Sequence, residues 1–214
     1  KRRNGLVDDF DVPVGLYLQA APSRDILARM LRNLKEIHRT QQDWLRLIAV
    51  LDRLTEGPQI LVGSSMGAWL MLLTALARPA RIAGLLGLAC AVDFTGYLLW
   101  DRLDERLRER LRRERVISLP SPYGEPYIIA LNLIEEAKQH RLLDRAALPI
   151  HGPVRLIHGM GDTDVPWRIS LEVAGQLASP DVRVILVKDG EHTLSREQDL
   201  RLLTRTLGEL LDGR

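Results

Sequence analysis

The pentapeptide Gly63-Ser64-Ser65-Met66-Gly67 fits the pattern G-x-S-x-G, with Ser65 at its centre. A serine there can act as a nucleophile if it sits on a sharp strand-to-helix turn, where flanking glycines keep Cβ atoms out of the neighbouring backbone. Ser64 lacks the symmetric glycine flanks. A serine hydroxyl is weakly nucleophilic and needs a histidine base, itself oriented by a carboxylate. Two downstream stretches supply such groups. His158-Gly159-Met160-Gly161-Asp162-Thr163-Asp164-Val165-Pro166 carries two acids, and Asp189-Gly190-Glu191-His192-Thr193 carries a histidine. The order serine, acid, histidine is the one a nucleophile elbow requires. The chemistry would be acyl transfer: Ser65 attacks, His192 moves the proton, and Asp162 holds His192 in the useful tautomer. Short Gly/Ser turns also arise by chance, so the argument rests on the partners more than on the motif.

Other assignments compete for several of these residues. An acid in the 158–166 loop can simply cap the helix that follows Pro166, and Asp164 is the alternative to Asp162. Asp162 is preferred for its spacing from His158-Gly159 and from Val165-Pro166. Asp93 is a further candidate acid. His158 reads as a structural strand-end residue and Cys90 as a buried small hydrophobe. His38, His140 and His151 share no ligand spacing with acids, so neither a metal nor another cofactor is expected.

These groups must be carried by strands and helices. Short apolar runs at Gln59–Val62, Ile82–Ala91, Val154–His158 and Val182–Val187 read as buried strands. Helical patterns lie between or after them, at Met66–Arg78, Trp167–Ala178 and Glu197–Leu211. That alternation predicts an α/β fold with a mostly parallel sheet covered on both faces. Loops at the carboxyl ends of such strands converge, which would bring Asp162 and His192 to Ser65. The uncharged window Ile60–Ala77 approaches the ~20 residues of a membrane span, but Gly63-Ser64-Ser65 breaks it into a strand and a helix.

Between the second and third of these strands lies an insertion, residues 95–148. Residues Leu98–Arg115 carry Leu103, Leu107 and Leu111 at i, i+4 spacing on an otherwise charged helix, the pattern of a surface cap. A Pro-rich loop, Leu119–Pro126, leads to a second expected helix from about Ile128 to His140. The arginines at 106, 108, 110, 112, 113 and 115 are interspersed with Glu105, Glu109 and Glu114, the mark of a solvated face rather than a docking patch. Val12, Val14, Leu16 and Leu18 alternate as one weak strand, and the apolar spacing from Ser23 to Leu54 suggests helix.

Composition bounds the function classes. The 214 residues carry 30 Lys plus Arg against 28 Asp plus Glu, a near balance that argues against a dedicated nucleic-acid binder. At 46% hydrophobic and 27% charged, the chain is expected to be globular, without stable membrane insertion. One cysteine excludes an internal disulfide framework. Lys1-Arg2-Arg3 is followed by Asp8-Asp9 and not by an apolar stretch, so no secretory signal is expected.

Taken together, these stretches resemble the α/β-hydrolase superfamily. Gly63–Trp69, Tyr123-Gly124-Glu125-Pro126-Tyr127, His158–Trp167 and Leu186–His192 are similar to one branch in particular. That branch contains the mitochondrial acyl-protein thioesterase that also acts as an acyl-glucuronide esterase, together with its bacterial relatives. The resemblance covers roughly Trp44 to Leu207. It implies Ser65 as nucleophile, Asp162 as acid, His192 as base and the Met66 backbone N–H as one oxyanion-hole donor. It also implies a hydrolase core at 44–94 and 149–214, with 95–148 as a helical cap whose candidate lining residues are Trp100 and Tyr123. The expected reaction is hydrolysis of an ester or thioester, with an acylated protein or a small acyl compound as substrate. The expected compartment is the cytoplasm of a bacterium or the mitochondrial matrix of a eukaryote.

Residues 1–43 do not match. Family members place two or three strands before the elbow strand, and a Gly-containing loop there donates the second oxyanion N–H. Asn4-Gly5 and Val14-Gly15 are weak substitutes, so the second donor is left unassigned. The N-terminal strands are expected to be missing or altered, unless residues 12–18 cover the edge of the elbow strand. The alternatives carried forward are an impaired or binding-only relative that lacks a complete oxyanion hole, and a peptidase of the same fold.

Overall fold

The computed structural model describes residues 48, 51–53, 55–121 and 124–213. The expected strand at Val12–Leu18, most of the helical pattern Ser23–Leu54, and Tyr123 lie outside the described residues. Among the described residues four strands form a parallel sheet: β1 (Gln59–Ser64), β2 (Ile82–Leu88), β5 (Val154–Gly159) and β6 (Val182–Val187), in that spatial order. The intervening β3 (Val116–Leu119) and β4 (Tyr127–Ala130) form a separate antiparallel hairpin. All six residues of β5 are buried, whereas β1 and β6, at the two edges of the described sheet, are largely half-buried. A parallel strand covered on both faces needs a continuous apolar run, which Val154, Leu156 and Ile157 provide around the Arg155 side chain.

The helices follow the same logic. α1 (Met66–Ala77) is apolar almost all round and buries Ala68, Trp69, Met71, Leu72 and Ala75. Such a helix belongs inside a core, not across a membrane, once Gly63 and Ser64 have turned the chain. α4 (Arg168–Gln176) and α5 (Glu197–Asp212) are amphipathic, with α5 burying Leu203, Thr206 and Leu210. Among the described residues no helix is long and apolar enough to cross a membrane.

The insertion has its own apolar cluster. Its helices α2 (Glu105–Glu114) and α3 (Leu131–Ala137) and the β3–β4 hairpin bury Leu103, Leu111, Ile117, Ile129, Leu131 and Ile134 together. Asp104 caps α2 by accepting the Leu107 N–H at 2.7 Å. The hairpin is the main departure from the expected elements: Tyr127–Ala130 is a strand, and the helix starts only at Leu131. Ile117 and Ile129 pair across the hairpin and are both buried, so cross-strand packing decides a short apolar run whose periodicity alone is ambiguous.

Candidate active site

The site is assembled from three turns at the carboxyl ends of β1, β5 and β6. The first is the elbow. Ser65 has φ 54° and ψ −122°, a strained backbone for a residue with a side chain. Surrounding hydrogen bonds hold it there. The Ser65 N–H donates to the Leu88 carbonyl at 2.8 Å, and the Ser65 carbonyl accepts from Ala68 (3.0 Å) and Ala91 (3.2 Å). A Cβ on Gly63 would stand 2.4 Å from the Gly67 carbonyl oxygen, so the turn closes only with glycine at 63. Met66 is the first residue of α1. Its N–H therefore lies in the turn whose amides have no partner within the helix, where the dipole favours negative charge.

The second and third turns touch. A Cβ on Gly159 would meet the Gly190 carbonyl oxygen at 2.2 Å, and one on Gly190 would meet the Gly159 Cα at 2.9 Å. Two glycines thus let the acid loop and the histidine loop lie backbone against backbone. The Gly161 N–H donates to the Gly190 carbonyl at 2.9 Å and fixes their offset. The histidine loop is closed further by Arg196, whose guanidinium bridges Asp189 (2.7 Å) and the buried Asp199 (2.8 Å) at the start of α5.

These contacts bring Ser65, Asp162 and His192 into one chain. His192 Nδ1 lies 2.8 Å from Asp162 Oδ2, and His192 Nε2 lies 3.1 Å from Ser65 Oγ. The ionised carboxylate only accepts, so Nδ1 carries the hydrogen and Nε2 is free to accept from the serine hydroxyl. Asp162 Oδ1 accepts the Asp164 and Val165 N–H groups at 2.9 and 2.8 Å. Burial by itself would raise the Asp162 pKa. Hydrogen bonds from His158 and His192 and from the Val165 N–H outweigh it and hold the carboxyl below the usual carboxylate range. The arrangement can deprotonate a serine, stabilise the imidazolium that forms, and offer a helix N-terminus to a developing oxyanion.

The other candidates stand elsewhere. Asp164 lends its N–H to Asp162. Asp93 turns away to accept the main-chain N–H groups of Leu142 (2.9 Å) and Leu143 (2.8 Å), where the insertion returns to the sheet. Trp69 anchors the same return by donating Nε1–H to the His140 carbonyl at 3.2 Å. Trp100 packs against the insertion's apolar cluster, with the Arg108 and Arg112 guanidiniums 5.5 and 5.2 Å from its ring centre. His151 is exposed. Cys90 is fully buried, and its thiol is pushed up to about 12 by that burial. Among the described residues no group of His, Cys, Asp or Glu is arranged to hold a metal ion. Sequence reading did not single out Ser170, Arg196 or Asp199, because a side chain that supports another residue leaves no spacing signature.

Comparison with known proteins gives the family. The human mitochondrial palmitoyl-protein thioesterase ABHD10 is 41% identical over 168 residues, which are 78% of this chain and 54% of that protein. The structure of mouse alpha/beta hydrolase domain-containing protein 10 superimposes with a TM-score of 0.71 at 41% identity, covering 79% of this chain and 68% of that one. A protein of Agrobacterium vitis S4 proposed to be a hydrolase gives a TM-score of 0.74 at 33% identity, with 78% and 66% covered. No family model matches. The chain belongs to the α/β-hydrolase family, as a relative of the alpha/beta hydrolase domain-containing protein 10 branch. It spans about half the length of the curated relatives it matches.

Proposed function

We propose that this chain is a serine hydrolase that cleaves carboxylic esters or thioesters through an acyl-enzyme. The observation that carries the proposal is the continuous chain Ser65 Oγ, His192, Asp162, at 3.1 and 2.8 Å, on three strand-end turns. Ser65 Oγ attacks the acyl carbonyl as its proton passes to His192 Nε2. The Met66 N–H stabilises the tetrahedral oxyanion. His192 then protonates the departing alcohol or thiol, and a water activated by the same imidazole releases the acid. No second oxyanion donor is assigned among the described residues; removing one donor from such a hole typically costs ~10²–10³ in turnover.

The relatives named palmitoyl-protein thioesterase favour an acyl thioester of a protein as substrate, and an acyl-glucuronide ester is the small-molecule alternative that the sequence resemblance implies. Their mitochondrial naming favours a mitochondrial location should the chain be eukaryotic.

The test is labelling with a fluorophosphonate probe together with hydrolysis of p-nitrophenyl acyl esters of graded chain length. Wild type should label and turn over, and Ser65→Ala should do neither. Equal labelling of the two would remove Ser65 as nucleophile. A folded wild type no faster than Ser65→Ala would favour a binding-only relative, and cleavage of peptides in preference to esters would favour a peptidase.

A further inference from the structure

We propose that His158 is a positioning residue of the triad, holding Asp162 so that His192 faces Ser65 in one tautomer; this rests on the hydrolase reading above. His158 ends β5 and is completely buried, as is the Asp162 side chain. Its Nε2 lies 3.2 Å from Asp162 Oδ2 and 3.1 Å from the Val165 carbonyl. Both neighbours only accept, so Nε2 carries the hydrogen. In the neutral ring Nδ1 is then an acceptor, and the Ser170 hydroxyl, 2.7 Å away, donates to it. The Cys90 thiol, fully buried near Ser170, keeps its proton. The bonds thus run in one direction, Ser170 to His158 to Asp162, and Asp162 Oδ2 receives a hydrogen from each of two imidazoles.

The consequence is chemical as well as steric. Four N–H groups, from His158, His192, Asp164 and Val165, occupy the carboxylate and stop it rotating. The His158 hydrogen also takes up part of the negative charge that Asp162 would otherwise direct at His192. Removing it should leave a more strongly attracting carboxylate, stabilise the His192 imidazolium, and shift the acid limb of kcat/KM to higher pH. The titratable groups facing this ring are Asp162, with His192 beyond it, and Cys90 through Ser170. A residue that merely filled the space would alter stability and leave that limb in place.

The experiment compares His158→Gln, His158→Asn and His158→Leu with wild type, using p-nitrophenyl ester kinetics per fluorophosphonate-titrated site. Glutamine can place an amide N–H near the Nε2 position, which asparagine cannot reach and leucine lacks. Asn and Leu should lower kcat about 10–100-fold, the worth of one hydrogen bond to a charged group, with KM within about twofold. Their acid limb should move up, and Gln should recover most of kcat. Equal kcat per site and an unmoved limb in all three variants would overturn the inference, as would a Gln variant no better than Asn. Histidine ¹⁵N NMR of the wild type is independent of variant folding. It should show His158 with hydrogen on Nε2 and none on Nδ1, and the reverse tautomer overturns the proposal. Loss of turnover in Ser65→Ala but not in the His158 variants sinks this inference alone. A Ser65→Ala enzyme that still turns over sinks the site reading with it.

Discussion

Asp162 and Asp93 are both buried aspartates in turns that follow parallel strands, and they behave in opposite ways. Asp162, after β5, meets two imidazoles and two main-chain N–H groups, and its carboxyl is held below the usual range against the pull of burial. Asp93, after β2, meets only main-chain donors, from Leu142 and Leu143, and its pKa is raised. Burial is the larger influence there, ahead of those N–H groups and Arg141, which pull the other way. The difference teaches that depth of burial does not assign a carboxylate's role; the donors around it do. One meets the imidazole that the proposed mechanism uses as base, and the other ties the return of the insertion to the sheet.

Several measurements would break or sharpen that contrast. The largest effect is expected on turnover. Asp162→Asn should lower kcat by about 10⁴-fold, because the amide can hold His192 in the wrong tautomer. Asp93→Asn should stay within about threefold of wild type per folded molecule. Comparable losses in both would erase the distinction.

Stability should reverse the ranking. Asp93→Ala leaves the buried N–H groups of Leu142 and Leu143 without their acceptor, at about 2–3 kcal/mol. For a chain of this size that is about 5–10 °C in Tm, to be read by calorimetry. A change below 1 °C would show that the insertion is not held by this carboxylate.

The two should also leave opposite marks on the pH dependence of unfolding. Asp162, depressed in the folded state, contributes stability that is present above the unfolded carboxylate pKa of ~3.9 and lost as pH falls below it. Asp93, raised in the folded state, contributes stability present below ~3.9 and lost as pH climbs through its folded pKa. Urea midpoints between pH 3 and 7 should therefore flatten at the acid end in Asp162→Asn. In Asp93→Asn the fall just above pH 4 should disappear. Parallel curves in the two variants would contradict the assigned directions.

The smallest effect concerns the neighbour of Asp93. Tyr97→Phe removes the hydroxyl that donates to the Val92 carbonyl at 2.8 Å, for about 1 kcal/mol of stability and no change in turnover.

Much of the sheet was legible because buried parallel strands must be continuous apolar runs. Val182–Val187 was read with its observed ends, and the predicted Gln59–Val62 extends only to Ser64. The cap hairpin was not, since the Ile117–Ile129 pair exists only when two short runs meet across a Pro-rich loop. The second oxyanion donor stays unassigned for a related reason: it would come from a separate loop that no local spacing ties to Ser65.

By itself the sequence determined which positions demand an unusual backbone. Gly63 and Ser65 are local requirements of the elbow, a Cβ having no room at one and a left-handed backbone at the other, whereas Gly159 and Gly190 are needed only because their two loops meet in the fold. The choice between carboxylates was a tertiary decision. Asp93, Asp162 and Asp164 all had credible claims in one dimension. Only the parallel pairing of β5 with β6 brings residue 162 within 2.8 Å of residue 192, while the returning insertion captures Asp93. Hydrogen bonds act over about 3 Å, and sequence separation does not encode which donor will stand there.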